Sequence, residues 1–446
     1  MSVSTQTTAS SAAKTFAPAK VARVCVMGLG YVGLPTALLY AQQGLEVQGV
    51  DINPQRLEAL KSGHLPEGFA EYQDWWQALK TTMSANQPIF EVGDTPAPAD
   101  AFIIAVPTPF DDTTKHCELS AVESAVRAIL PVLAEGNLVV LESTVPPGTT
   151  RRHILPLIES TGLVVGESVF LCFCPERVLP GNTQAEMINN DRLVGGVTTT
   201  CARLGHQLLS RVVVGGDVFM TDDATAEFCK LAENTYRDVN IAFANQLGLI
   251  CEAVGADFER VRGFVNKSPG RNVLWAGAGV GGHCIPKDPW LLVHGVPGVD
   301  TGLIAAARTL NESMPLHVAR LVEQALDEVN IGMHSARLLV LGYSYLEDSD
   351  DTRNSPSQSL IEHLKDWGAE VVVHDPWVPD YAVDLWKRAE GAHAAIVMVA
   401  HAEYRDLDLA RLRGCLRAPV LVDGRQVVDA AAARAAGFVF RGLGRA

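Results

Sequence analysis

The 446-residue chain is too long for one core and calls for two or three domains. With 48% hydrophobic and 20% charged residues it is globular, and a formal net charge of -15 excludes a broad nucleic-acid surface while leaving room for one anionic ligand. Nine cysteines, an odd number set mostly in apolar runs, exclude a disulfide framework, and Cys172 and Cys174 without a second pair give no zinc site, so no metal is expected.

In chain order, residues 1–20 lack an apolar core and read as a disordered tail rather than a signal peptide. No run approaches the ~20 apolar residues of a membrane span, which makes the cytoplasm the expected compartment and a membrane partner unexpected. "VARVCVMG" predicts a strand ending at Gly28, and "YVGLPTALLYAQQG" a helix closed by Gly44. "LEVQGVD" is the next strand, and "AFIIAV", "LVVLEST" and "VFLCFC" continue the series. Continuous apolar strands alternating with helices predict a parallel sheet covered on both faces, over residues 21–215. From Thr221 the periodicity becomes helical, through "TDDATAEFCKLAENTYRDVNIAFANQLGLICEAVGA" and "TGLIAAARTLNESMPLHVARLVEQALDEV", giving a helical middle over 216–330. Strand patterns return at "ARLLVLGYS", "AEVVVHDP", "AAIVMVAH" and "APVLVDGR", with a helix at "SPSQSLIEHLKDWG", so 331–446 is a second α/β unit.

Chemistry enters with "GLGYVG". Gly28, Gly30 and Gly33 have dinucleotide-turn spacing and lie between a strand and a helix, the context that motif requires. Asp51 closes the second strand, where a carboxylate accepts from ribose hydroxyls and repels a 2′-phosphate, so NAD is favoured over NADP; Arg56 nearby works against that preference. Glu176 in "CPERVLPG" and Thr108 in "VPTP" follow apolar strands, at the carboxyl ends where open α/β sheets bind ligands. Lys230 and Asn234 are four apart in a helical pattern and share a face suited to an oxyanion. In "GVGGHCIPKDPW", Cys284 follows Gly279, Gly281 and Gly282 and precedes Lys287 and Asp288. A nearby cation favours the thiolate, the nucleophilic form. With NAD, such a thiol permits alcohol-to-acid oxidation: an aldehyde is trapped as a thiohemiacetal, oxidised to a thioester and released by water.

Together these motifs resemble the UDP-sugar/GDP-mannose 6-dehydrogenases. The blocks "GLGYVGLP", "VPTP", "ESTVPPGTT", "CPERVLPG", "KLAENTYRDVNIAFANQL", "GVGGHCIPKDPW", "DDTRNSPS" and "VDGRQV" occur in order across nearly the whole chain. The resemblance implies an α/β fold of two Rossmann-like domains joined by a long central helix, with dimerisation through the helical middle. It implies Cys284 as nucleophile, Lys230 and Asn234 as oxyanion donors, Glu176 with Thr108 for the proton or hydrolytic water, and Asp288 as support. It implies NAD contacts at Gly28, Gly30, Tyr31, Val32, Gly33, Asp51, Arg56, Thr108, Thr144, Lys287 and Arg353. For the UDP-sugar it implies Glu176, Arg177, Val178, Lys230, Asn234, Gly281, Gly282 and Arg425, and Arg271 reaching a neighbouring subunit. Pro180, where many UDP-glucose enzymes carry a second glutamate, points to the UDP-N-acetylhexosamine members, UDP-N-acetyl-D-mannosamine first, then UDP-N-acetylglucosamine and UDP-glucose. Leu346 and Glu347 stand where the family often has a lysine. Products of such enzymes feed glycan synthesis. Two rivals remain: a β-hydroxyacid-type dehydrogenase working through a lysine, and a protein that binds NAD without chemistry.

Overall fold

A computed structural model describes residues 21–83, 89–111, 113–178 and 183–445; the expected tail at 1–20 lies outside the described residues. The chain divides into two compact units, Met1–Asp111 with Cys117–Lys230, and Asp112–His116 with Leu231–Ala446. The division falls inside one continuous 32-residue helix, Asp223–Val254, which is the first part of the expected helical middle.

The first unit is built on strands β1 (Arg23–Met27), β2 (Glu46–Val50), β3 (Phe90–Gly93), β4 (Ala101–Ile104), β5 (Leu138–Leu141), β6 (Phe170–Phe173), β7 (Arg192–Gly196) and β8 (Val218–Asp222). Their order in the sheet is β3-β2-β1-β4-β5-β6-β7-β8. The strands of β4, β5 and β6 are buried at every position, as their unbroken apolar sequences require. The helix Gly33–Gln42 covers the sheet beside β1 and β2. The sheet is not wholly parallel: β7 runs antiparallel to β6, pairing Cys172 with Gly196, and β8 pairs parallel to β7. Strands β3, β7 and β8 carried no clear signal, because two are edges and β7 opens on an arginine and closes on two glycines.

The second unit has a five-stranded parallel sheet of β9 (Arg337–Leu341), β10 (Glu370–His374), β11 (Ala394–Val397), β12 (Val420–Asp423) and β13 (Val439–Gly442), in the order β10-β9-β11-β12-β13. Successive residues serve opposite faces. Leu338 and Val340 pack with Met314, Val318 and Val322 of the 26-residue helix Gly302–Asp327, whereas Leu339 and Leu341 pack with Tyr404, Leu412 and Phe440. Both units are thus Rossmann-like α/β layers. Among the described residues no helix is long and apolar enough to cross a membrane, and no group of three or more His, Cys, Asp or Glu side chains is placed to hold a metal ion.

Candidate active site

The three glycines after β1 have different jobs. Gly28 has a φ of +91°, and a Cβ there would lie 2.8 Å from the Ala105 carbonyl oxygen. A Cβ on Gly33 would collide with the Gly28 carbonyl, so the helix packs directly on the turn. Around Gly30 nothing lies within 4 Å of a would-be Cβ, which leaves open space at the turn where a pyrophosphate approaches backbone. Tyr31, half exposed, stacks on Phe69 with ring centroids 5.6 Å apart, and Val32 precedes the helix. Buried Asp51 accepts from the Leu29 N–H at 2.7 Å and the Asn53 N–H at 2.8 Å, and pairs with Arg56 Nη1 at 2.8 Å. The carboxylate is therefore fixed at the strand end by its own backbone, and Arg56 is committed to it. These residues fit a dinucleotide.

The carboxyl ends of β4, β5 and β6 gather the next group. Thr108 Oγ1 donates to the Thr144 carbonyl at 2.7 Å, so two expected site residues from neighbouring strands do meet. Glu176 is buried; its Oε1 accepts from the backbone N–H groups of Arg177 (2.6 Å) and Val178 (3.0 Å), and its Oε2 lies 2.9 Å from Arg192 Nη1. Arg177 Nη2 donates to the Asp191 carbonyl at 2.8 Å. Pro180 lies outside the described residues. Lys230 is buried in the long helix. One turn earlier, buried Glu227 accepts from Thr150 N–H and Oγ1, both at 2.7 Å, and from Gly148 N–H, tying the helix to the "PPGTT" segment beyond Thr144. Sequence reading passed over Glu142 and Arg192. Glu142 is a charged residue directly after an unbroken apolar strand, and that anomaly was the available signal; Arg192 opens a strand with no clear pattern of its own.

In the second unit, Cys284 is the exposed cysteine among nine. Its carbonyl accepts from the N–H groups of Lys287 (3.1 Å) and Asp288 (2.8 Å), placing the thiol residue directly before the helix Asp288–Gly295. Lys287 and Asp288 are buried, and Asn234 Nδ2 donates to Asp288 Oδ2 at 2.6 Å. Partial loss of solvation and the Lys287 and Arg353 cations push the His283 imidazole down to about 4, against Asp351.

The glycines before Cys284 admit the protein's own side chains. A Cβ on Gly281 would lie 2.5 Å from Tyr345 Cβ, and one on Gly282, at φ +88°, 2.9 Å from the Tyr345 ring. Gly282 is further held by its N–H to the Arg353 carbonyl at 2.9 Å and by Asn354 Nδ2 to its own carbonyl at 3.1 Å. The Arg353 guanidinium itself pairs with Asp351, with Nη2 to Oδ2 at 2.5 Å. A Cβ on Gly277 would lie 2.6 Å from Arg425 Nη1, so the start of this loop is seated on that guanidinium. Arg425 is half-buried and makes no side-chain hydrogen bond or ion pair among the described residues; burial lowers its pKa against the pull of Glu347 and Asp423. A cation in that state suits an anionic ligand. Arg271 is exposed, with Nη1 donating to the Pro269 carbonyl at 2.6 Å.

One element had no counterpart in the sequence reading. Asp238, Asn245, Arg308 and Asn311 form a fully buried polar chain between the helices 231–254 and Gly302–Asp327. It ends on Asn245 Oδ1, which accepts from the Gly277 N–H at 2.8 Å. Its members look like ordinary polar positions of a helix; only the packing shows them facing inward.

Comparison with known proteins follows this division of labour. The UDP-glucose/GDP-mannose dehydrogenase family models match over residues 22–213 (NAD binding domain), 224–313 (central domain) and 339–430 (UDP binding domain). A UDP-N-acetyl-D-mannosamine dehydrogenase of Pyrococcus horikoshii is 37% identical over 426 residues, 95% of this chain and 99% of the relative. A solved structure of UDP-D-ManNAc dehydrogenase from the same organism superposes with a TM-score of 0.86 at 37% identity, covering 95% of this chain and 99% of that one. An NDP-N-acetyl-D-galactosaminuronic acid dehydrogenase of Ralstonia nicotianae is 37% identical over 87% of this chain and 93% of the relative.

Proposed function

Because the chain belongs to the UDP-glucose/GDP-mannose dehydrogenase family and is an NAD-dependent UDP-sugar dehydrogenase, we propose that it oxidises C6 of UDP-N-acetyl-D-mannosamine to the uronate, using two NAD per sugar. The observation that carries the substrate choice is the 37% identity over 95% of the chain to an enzyme of that name. The test is NADH formation across UDP-ManNAc, UDP-GlcNAc, UDP-GalNAc, UDP-glucose and GDP-mannose. Two NADH per UDP-ManNAc, with little turnover of the others, is expected; exclusive use of UDP-glucose overturns the substrate assignment and leaves the family intact.

NAD, when bound on the Gly28–Gly33 turn with Asp51 toward its ribose, supplies the hydride acceptor. The chain's own residues do the rest. Cys284 Sγ adds to the C6 aldehyde, its proton leaving and the carbonyl oxygen becoming a hydroxyl in the thiohemiacetal. After oxidation to the thioester, water attacks the acyl carbon and Cys284 leaves as thiolate. Lys230 and Asn234 hold the oxyanion of each tetrahedral stage. One N–H of the Asn234 amide is committed to Asp288, which orients the amide and leaves its second N–H to donate. Glu176 takes the water proton; its two backbone donors and Arg192 fix the carboxylate while further lone-pair positions stay available. Arg425 binds the diphosphate of UDP.

A homodimer is part of this reading. Tyr236, Phe243 and Ile250 recur every seventh residue on the long helix and are exposed, with Val254 beyond them. An apolar stripe of that spacing suits a second helix. Phe243→Asp is expected to convert dimer to monomer in light scattering while the second unit keeps its helicity; an unchanged dimer counts against the stripe.

A further inference from the structure

Beneath the carboxyl ends of β5 and β6, two carboxylates share one guanidinium. Arg192, on β7, lies with Nη1 2.9 Å from Glu176 Oε2 and Nη2 3.4 Å from Glu142 Oε1. All three side chains are at most 7% exposed. Thr36 Oγ1, from the helix that opens on the dinucleotide turn, donates to Glu142 Oε2 at 3.2 Å. Glu142 therefore touches the dinucleotide helix on one side and, through Arg192, Glu176 on the other.

Two carboxylates and one cation in a dry site leave one negative charge uncompensated, and a bound proton removes it. The donors decide where that proton sits. Glu176 Oε1 accepts from two backbone N–H groups at 2.6 and 3.0 Å, and its Oε2 meets the nearer arm of Arg192 as an ion-pair contact without a hydrogen bond; Glu142 accepts from one hydroxyl at 3.2 Å and from the longer arm at 3.4 Å. The proton belongs on Glu142, whose donors are the more distant ones. Consistent with that, burial and then the Glu176 charge push the Glu142 carboxyl up to about 8, against Arg192 and the Thr36 hydrogen bond. Neighbouring tyrosines and cysteines stay neutral, Tyr72 beside Glu176 among them, raised by burial. Tyr40, from the same helix as Thr36, is raised well above its ordinary value by burial, as is Cys172 on β6, and Cys174 is raised to about 12. Glu142 is then the group of this cluster that changes charge between neutral and mildly alkaline pH.

We propose that Glu142 is a positioning residue for thioester hydrolysis, holding a proton that it releases to solvent as pH rises and so setting, through Arg192, the strength of Glu176 as a base. With Glu142 protonated, Arg192 is committed to Glu176 and the trio is neutral. Once Glu142 ionises, Arg192 is shared, the trio carries one negative charge, and Glu176 accepts the water proton more readily. This inference rests on Glu176 acting as the base.

Glu142→Gln keeps the shape and fixes the neutral state. Turnover of UDP-ManNAc is followed from about pH 6 to about pH 10 in both proteins. Infrared pH-difference spectra of the protein without substrate report the carboxylic-acid carbonyl band directly. The wild type is expected to lose such a band near pH 8 and to gain turnover over the same interval; Glu142→Gln should lack both. Persistence of the band in Glu142→Gln, or its absence from the wild type, overturns the protonation of Glu142. A band that behaves as expected beside superimposable turnover profiles overturns its coupling to the reaction. Undiminished hydrolysis in Glu176→Gln would instead remove the base assignment while the wild-type band near pH 8 still stands, so the two failures are distinguishable.

Discussion

Cys284→Ser is expected to lower carboxylate formation by about a thousand-fold or more, as loss of a nucleophile does elsewhere. A serine hydroxyl ionises far above neutral pH, adds poorly to an aldehyde without a dedicated base, and is a worse leaving group than a thiolate from the acyl stage. The first oxidation, alcohol to aldehyde, needs no thiol, so a trace of NADH without uronate is compatible with the variant. Measurement pairs NADH absorbance with mass spectrometry of the sugar nucleotide. Undiminished formation of two NADH per uronate would sink the covalent reading and favour the single two-electron dehydrogenase that works through a lysine. Alkylation gives an independent check, because the nine thiols differ sharply in environment. Cys25, Cys172, Cys174, Cys201 and Cys251 are buried, and burial pushes Cys25 and Cys174 up to about 12, whereas Cys284 is exposed ahead of a helix N-terminus. Iodoacetamide should reach Cys284 first, with activity lost in step.

What the sequence made legible follows from how local each signal is. The strand-turn-helix at Gly28–Gly33 is encoded within a few residues, and the structure has it in place, whereas the Thr108–Thr144 hydrogen bond joins two strand ends and only the fold makes it. Strands β4, β5, β6 and β9 announce themselves because burial on both faces demands unbroken apolar runs. Strand β7 did not, since its reversed direction is set by pairing with β6 and not by its own residues. The glycines before Cys284 signalled close packing, but not what packs: Tyr345, Pro356 and Arg425 come from 68 residues or more away from the loop's start at Gly277, and only the fold brings them in. The Glu142–Arg192–Glu176 trio is invisible for the same reason, its members coming from three strand ends.

Arg308→Ala is the substitution expected to cost most in stability. Arg308 and Asp238 are at most 1% exposed, and Arg308 Nη1 donates to Asp238 Oδ1 at 2.5 Å. Removing one partner of such a pair leaves an uncompensated buried carboxylate, at a cost of about 3–5 kcal/mol. The pH dependence has a definite sign. Burial already raises the Asp238 carboxyl above its ordinary value, with Arg308 the strongest group opposing it. Without Arg308 it rises further, so the folded variant binds a proton that the unfolded chain gives up above about pH 4. Stability then falls as pH increases, and the deficit against wild type is smaller at about pH 5 than at about pH 8. Urea unfolding at the two values measures this; a deficit below about 1 kcal/mol, or one independent of pH, would mean the pair is not the keystone of its cluster. Pairing Arg308→Met with Asp238→Leu removes both charges and should recover most of the loss. The same cluster has a functional end. Asn311 joins Asp238 to Asn245, and Asn245 holds the Gly277 N–H at 2.8 Å. Gly277 begins the loop that receives Arg425 and leads to Cys284, so the apolar double variant, although stable, still loses a hydrogen-bonded partner of Asn311. If that chain of hydrogen bonds holds the loop, the double variant will fold normally yet show a raised KM for the UDP-sugar and altered alkylation of Cys284. Wild-type values for both would confine the cluster to stability.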